Sequence, residues 1–360
     1  MKKLFYLKTI LCFALFICIL PLTQAIAEER EPNLLMAKIT EGTDVPAERG
    51  ALDRNNAGIQ AAIAAQGRHT RSLMSAADVV GTAVGLTWDG RPAVIVLTKK
   101  EPGYGTIPGS LDGIPVVTLT TGEFLAMARS KPGVNTTARF DRPVPIGIST
   151  GNEGECSAGT IGARVKKGAD VYALSNNHVY ALENNAAIGS NVLQPGRYDT
   201  GCAYNAANII GTLADFEPIV FSTEASNKID AAIALSSASL LGNSTPSGGY
   251  GAPKSAAVTE AVGLSVQKYG RTTKLTKGTI VGINAVINIG YDSGVARFVE
   301  QIIINSGKPF VKAGDSGSLI VTDDHSPVGL LFAGNTSGGY GIANPIRHVL
   351  ERFSATVDGK

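Results

Sequence analysis

The chain has 360 residues, with 32 basic and 30 acidic side chains, a formal net charge of +2 and only 17% charged residues. That balance leaves no basic footprint and argues against a nucleic-acid partner. With 42 glycines, 6% aromatic residues and short runs of Val, Ile and Thr between Gly, Asn, Ser and Pro, the composition reads as a mostly β chain with tight turns.

Met1-Lys2-Lys3 opens the sequence, an uncharged apolar stretch runs from Leu11 to Leu22, and Ala25-Ile26-Ala27 precedes Glu28-Glu29-Arg30. This is the pattern of a signal peptide cleaved after Ala27. A membrane anchor is the rival reading, but a spanning helix needs about 20 apolar residues, and Pro21 and Gln24 interrupt this run. Cys12 and Cys18 leave with the leader. No other segment is long and apolar enough to span a bilayer, so the expected product is exported, periplasmic or secreted, without a membrane partner after cleavage.

Residues 28–141 read as a small α+β unit. Ile59, Ala62, Ile63, Leu73 and Met74 recur at helical spacing over Asn56 to Met74, with Asn55 or Asn56 as the cap. Val79 to Trp88 and Pro92 to Leu97 flank Asp89-Gly90, a hairpin signal. Ile114 to Leu119 follows Asp112-Gly113, and a short helix is predicted near Glu123 to Ala128. The unit has no nucleophile-base pairing, metal spacing or phosphate loop. It is expected to assist folding or to dock over a cleft, as an accessory domain or a pro-domain. Lys131 to Gly151, rich in Pro, Gly, Asn and Thr, reads as a linker.

Strand-like runs follow at Thr160 to Val165, Val171 to Asn176, Ala231 to Leu235, Val262 to Tyr269, Thr279 to Ile289, Phe298 to Ile304, Ser318 to Thr322 and Val328 to Ala333. Leu241 to Ser255 divides them into two groups, which predicts two β-barrels over about 152–240 and 256–344. Ile346, Val349, Leu350 and Phe353 predict a terminal helix over Pro345 to Phe353, packed on the second barrel. Cys156 and Cys202 remain after processing, and a disulfide between them is the better reading than two buried thiols. Metal ligands at zinc spacing are absent from the sequence, and no cofactor motif is present.

Peptide hydrolysis needs a nucleophile, a base, an orienter for that base and oxyanion donors. Gly314-Asp315-Ser316-Gly317 offers the nucleophile Ser316 in a tight turn, where the N–H groups of Gly314 and Ser316 converge on one oxyanion. His178, in Ser175-Asn176-Asn177-His178-Val179, follows a strand. Asp230 stands at the mouth of the apolar run Ile229 to Ala234, where an unpaired carboxylate would be costly. Each alone has a bland reading as a turn or surface residue. Together they have the order His, Asp, Ser of chymotrypsin-like barrels.

On these motifs the sequence resembles the trypsin-like serine peptidases of bacteria, over about Ile161 to Phe353, and within them an exported branch with an N-terminal accessory domain. Val266 to Thr273 with Gly278 to Ile280, and Val328 to Gly334, are similar to family strands. The resemblance implies an all-β double β-barrel (chymotrypsin-like) with a C-terminal helix, a polypeptide substrate, and the triad His178, Asp230 and Ser316. It places Phe310, Phe332, Ala333 and Gly334 at the substrate pocket, favouring a small or medium apolar side chain over Arg or Lys. Ser318 replaces a family glycine. No Ile-Val-Gly-Gly type start follows a basic residue, so Asp315 needs a cation other than a new N-terminus. The resemblance points to Lys268, with Arg271 as the alternative. A trypsin fold that binds peptides without cleaving them is the rival function. An α/β-hydrolase esterase fails on residue order and on the missing Gly-x-Ser-x-Gly at Ser316.

Overall fold

In the computed structural model, the described residues are 51–103, 105–126 and 135–360. The leader, the end of the short helix predicted near Glu123, and residues 131–134 of the predicted linker lie outside them. Among the described residues no helix is long and apolar enough to cross a membrane.

The predicted first helix forms as α1 (Ala57–Met74), with Asn56 as cap: its side chain accepts from the N–H groups of Gly58 at 2.9 Å and Ile59 at 3.2 Å, satisfying two otherwise orphaned donors. Strands β1 (Val79–Leu86) and β2 (Pro92–Thr98) make the hairpin signalled by Asp89-Gly90, with Leu86 opposite Pro92. A two-residue β3 (Ser110–Leu111) and then β4 (Ile114–Thr120) follow, β4 lying parallel to β2. Where the sequence predicts a short helix, Phe124–Ala126 forms strand β5. Phe124 is anchored in a cluster with Phe298 and Phe332, and this tertiary packing overrides local propensity.

The first barrel is built from β6 (Ser149–Asn152), β7 (Gly159–Thr160), β8 (Ala163–Lys167), β9 (Asp170–Ser175), β10 (Asn191–Leu193), β11 (Ile209–Phe216) and β12 (Ala232–Ser236). A short helix, α2 (Asn177–Tyr180), follows β9. Val144, Ile146 and Ile148, inside the predicted linker, are wholly buried in this barrel's core. Their alternation is the period of a strand, which the surrounding Pro and Gly obscure. Cys156 and Cys202 are disulfide-bonded, with Cα atoms 5.0 Å apart and a sequence separation of 46. A loop of that size contributes roughly 4 kcal/mol on the chain-entropy account.

The second barrel contains β13 (Ser265–Gly270), β14 (Lys274–Tyr291), β15 (Gly294–Asn305), β16 (Leu319–Thr322), β17 (Pro327–Asn335) and β18 (Tyr340–Pro345). Its strand order is β13-β16-β17-β18-β15-β14, and β13 also pairs with β14, which closes the ring. Helix α3 (Ile346–Phe353) buries Ile346, Val349 and Phe353 among Val165 and Ile233 of the first barrel and Leu319 and Leu330 of the second. It sits at the seam and touches both barrels. A final strand, β19 (Thr356–Val357), returns to pair with β8. The whole is an all-β chymotrypsin-like double barrel with a C-terminal helix, preceded by an α+β unit.

That unit shares the second barrel's sheet. The 18-residue β14 uses its first third to pair with β13, while Ile283, Val286 and Ile287 farther along pair with β1. Core clusters also cross the boundary, joining Ala83 and Leu97 to Ile287 and Phe298, and Ile59 to Val266 and Ile304. Each large apolar side chain exposed by removing the unit costs roughly 1.5–3 kcal/mol, against a typical total stability of about 5–15 kcal/mol. A chain beginning at Arg142 is therefore expected to aggregate or to refold far more slowly than the full chain. Size-exclusion chromatography and circular dichroism check this, and unaided refolding at the full chain's rate would show that the shared sheet is dispensable.

Candidate active site

Strand register brings His178 and Asp230 together. β9 runs antiparallel to β12 with Ser175 opposite Ala232, so the residues just after β9 and just before β12 meet at one end of the ladder. His178 lies there in α2, one turn after the strand. Its Nδ1 is 2.6 Å from Asp230 Oδ2, and its backbone N–H donates to Oδ1 at 3.2 Å. Asp230 is wholly buried and His178 is 3% exposed. Since a carboxylate accepts, Nδ1 carries a ring proton. His178 Nε2 is buried and has no hydrogen-bond partner among the described residues. Asn176 donates from its side chain to the Asp230 carbonyl at 2.7 Å, and the Asp230 N–H donates to Asn344 Oδ1 at 3.1 Å.

Ser316 enters from the second barrel, in the turn before β16. Its carbonyl accepts from the Thr160 N–H at 2.7 Å, and Thr160 Oγ1 donates to the Gly314 carbonyl at 2.8 Å. One residue of the first barrel thus straps down the turn. The approach is so close that Gly317, at φ +92°, has no room for a Cβ beside the Thr160 carbonyl and Ser175 Oγ. Gly314 is similarly constrained, at φ +95° and against the Arg271 guanidinium. The Ser316 hydroxyl donates to the Phe332 carbonyl at 3.4 Å. Ser316 is itself fully buried.

The Asp315 carboxylate is held by the N–H groups of Thr272 (2.8 Å), Thr273 (3.0 Å) and Lys312 (3.0 Å), and by Thr273 Oγ1 (2.6 Å). Lys268 is its cation, at 3.6 Å, with both side chains 0% exposed. Burial pulls the Lys268 ammonium below the ordinary lysine range, opposed by the Asp315 charge. A folded value below 10.5 means that keeping Lys268 charged opposes folding, and this penalty fades as pH rises from the folded value toward the unfolded one. Alkaline deprotonation therefore removes the Asp315 cation without itself unfolding the chain. Arg271, the other candidate, turns away and pairs with Asp199, with Nε 2.7 Å from Oδ2.

Phe310 is buried in the second barrel's core, with Lys268 Nζ 5.7 Å from its ring centroid. Phe332 and Ala333 are also fully buried, and the Phe332 ring packs on Phe298 at 4.8 Å. Gly334 and its neighbours face β5 instead of solvent: Ala333, Gly334 and Asn335 pair antiparallel with Ala126, Leu125 and Phe124. No metal cluster is present among the described residues.

Sequence reasoning missed Thr160, Asn344, Tyr291 and the Asp199–Arg271 pair. Tyr291 donates its hydroxyl to Asp230 Oδ2 at 2.9 Å, yet as the last residue of a long strand it carries no motif.

Residues 252–359 match a family model described as the Nal1 C-terminal domain. No curated protein matches the chain. Among solved structures, it is similar to a glutamic acid-specific serine protease at 20% identity, covering 59% of this chain and 100% of that one, with a TM-score of 0.43. Thermobifida fusca protease A is 18% identical over 60% of this chain and 100% of its own, also at 0.43. Cellulomonas bogoriensis chymotrypsin is 21% identical over 61% and 100%, at 0.41.

The Lys268–Asp315 pair gives a direct test. Lys268→Met removes both the cation and the Nζ hydrogen bonds to Thr273 Oγ1 and the Lys274 carbonyl, which deprotonation alone would leave in place, and is expected to cost about 1–3 kcal/mol of stability, measured by denaturant unfolding. A loss below about 1 kcal/mol would mean that the backbone and Thr273 donors alone sustain Asp315.

Proposed function

We propose that the chain is a serine endopeptidase that cleaves peptide bonds through His178, Asp230 and Ser316. The observation that carries this reading is the buried His178–Asp230 hydrogen bond, with His178 Nε2 left without a partner among the described residues. A buried polar atom without a partner costs about 1–3 kcal/mol, and such costs persist where function needs them. In this mechanism the Ser316 hydroxyl leaves the Phe332 carbonyl and attacks the scissile carbonyl carbon while Nε2 takes its proton. Asp230 holds the tautomer and stabilises the imidazolium. Gly314 and Ser316 N–H groups receive the oxyanion. The proton passes to the departing amine, and water then hydrolyses the acyl-enzyme by the same route.

Ser316→Ala and His178→Ala are each expected to lose at least about 10⁴-fold in kcat. A fluorophosphonate probe should label the wild type and not Ser316→Ala, and a peptide library should show an apolar residue, not Arg or Lys, at the cleavage position. Unchanged hydrolysis in either variant would sink the triad. The competing reading, a silent peptide binder, draws on the buried Ser316 and its hydrogen bond to Phe332. It predicts peptide binding without labelling.

The same reading assigns the N-terminal unit a covering role as well as a folding one. Its strand β5 occupies the edge of β17 that an extended substrate would use by strand addition. Export after leader cleavage agrees with the disulfide. Leu125→Pro, which removes an N–H from β5, is expected to raise activity on short peptides several-fold in an assay of the full chain. Equal rates would show that β5 does not block access.

A further inference from the structure

Asp230 is fully buried, and a buried carboxylate stays ionised only when several donors replace its lost water. Its Oδ1 accepts from the His178 N–H at 3.2 Å, and its Oδ2 accepts from His178 Nδ1 at 2.6 Å. A further donor to Oδ2 is the hydroxyl of Tyr291, at 2.9 Å. The two His178 contacts come from the first barrel, whereas Tyr291 reaches across from the end of β14. The Tyr291 ring is fixed edge-on to Phe221, with centroids 5.7 Å apart, and is tilted against Phe298 at 6.1 Å. It also stands edge-on to the His178 imidazole at 6.0 Å. Burial and the Asp230 charge raise the phenol well above its ordinary value, so it remains a donor across the working pH range.

We propose that Tyr291 is a positioning residue of the triad, holding Asp230 Oδ2 against His178 Nδ1 from the opposite barrel. The assignment rests on the peptidase reading. The Tyr291 hydroxyl reaches no reacting atom and acts through Asp230. Two donors on one oxygen also divide that oxygen's basicity between them. Without the phenol, Oδ2 becomes a stronger acceptor for the imidazole, the imidazolium is better stabilised, and His178 titrates at higher pH. The charged and titratable groups around the cluster are Asp230 itself, His178 and Glu183. Glu183 accepts from the Asp292 and Ser293 N–H groups at 3.3 and 2.8 Å beside the Tyr291 strand end. Glu183 is unaltered by the substitution below, so its field is common to both proteins.

The test is Tyr291→Phe in the full chain, which keeps the ring contacts with Phe221 and Phe298 and deletes only the hydroxyl. The loss of positioning is expected to outweigh the stronger pull on the imidazolium and to lower kcat by about 10-fold, with KM unchanged. The acid limb of kcat/KM should move to higher pH. A second readout needs no turnover: the His178 imidazole, followed by ¹⁵N NMR, should titrate at higher pH in Tyr291→Phe than in the wild type. A folded variant with the wild-type His178 titration overturns the proposal, whatever its activity. A variant that loses thermal stability while its acid limb stays in place overturns it as well, reducing Tyr291 to packing. If the wild type neither cleaves peptides nor takes up a fluorophosphonate, the peptidase reading fails by itself, and the His178 titration still decides whether Tyr291 sets the Asp230–His178 pair.

Discussion

The site depends on one close contact between barrels. Thr160 gives its N–H to the Ser316 carbonyl and its hydroxyl to the Gly314 carbonyl, so the turn that carries Ser316 is fixed by the first barrel although the second supplies its chain. Gly317 is the geometric condition for that approach, since any larger residue would drive the barrels apart. Everything else at the seam follows from the spacing it sets. Helix α3 fills the apolar side of the seam, with Ile346, Val349 and Phe353 touching both barrels. Arg271 and Asp199 pair in its polar part, where Ser149 Oγ also donates to Asp199 at 2.5 Å.

The buried carboxylates Asp315 and Asp230 are each held by several local donors. Asp315 draws on three backbone N–H groups, a hydroxyl and Lys268, and Asp230 on His178 and Tyr291. Such carboxylates are stable because several donors act together, and the cation is only one of them. The Lys268–Asp315 arrangement also makes the Ser316 turn independent of any freshly cut terminus, because the cation of Asp315 is an internal side chain of β13.

Much of this is legible in the sequence because it is local. The α1 helix is visible through Ile59, Ala62 and Leu73 on one face and Asn56 before them, and the first hairpin through Asp89-Gly90. His178 and Ser316 stand out by their immediate neighbours, and their order with Asp230 points to the fold. What stays hidden depends on partners distant in the chain. Tyr291 lies 61 residues from Asp230 and Arg271 lies 72 from Asp199, and neither has a local signature. β18 escapes a sequence reading because Gly341, Asn344 and Pro345 look like turn residues, although the barrel buries every position of that strand. β5 reads as a helix because nothing near Phe124 announces that its partners are β14 and β17. The run Val144, Ile146 and Ile148 reads as linker, since Pro and Gly nearby outweigh an alternation only three residues long.

The length of β14 has a mechanical meaning. One continuous backbone closes the barrel at its start, carries β1 along its middle and ends at the residue that touches Asp230. Cutting the chain anywhere between the N-terminal unit and the first barrel would not set the unit free, because the ladder to β14 holds the two pieces side by side. To leave, the unit would have to slide out broadside, breaking its hydrogen bonds together and not one after another, as a bolt shears and a zip does not. A nicked molecule would then travel as a two-piece complex, with the first fragment still attached to the strand that ends at Tyr291.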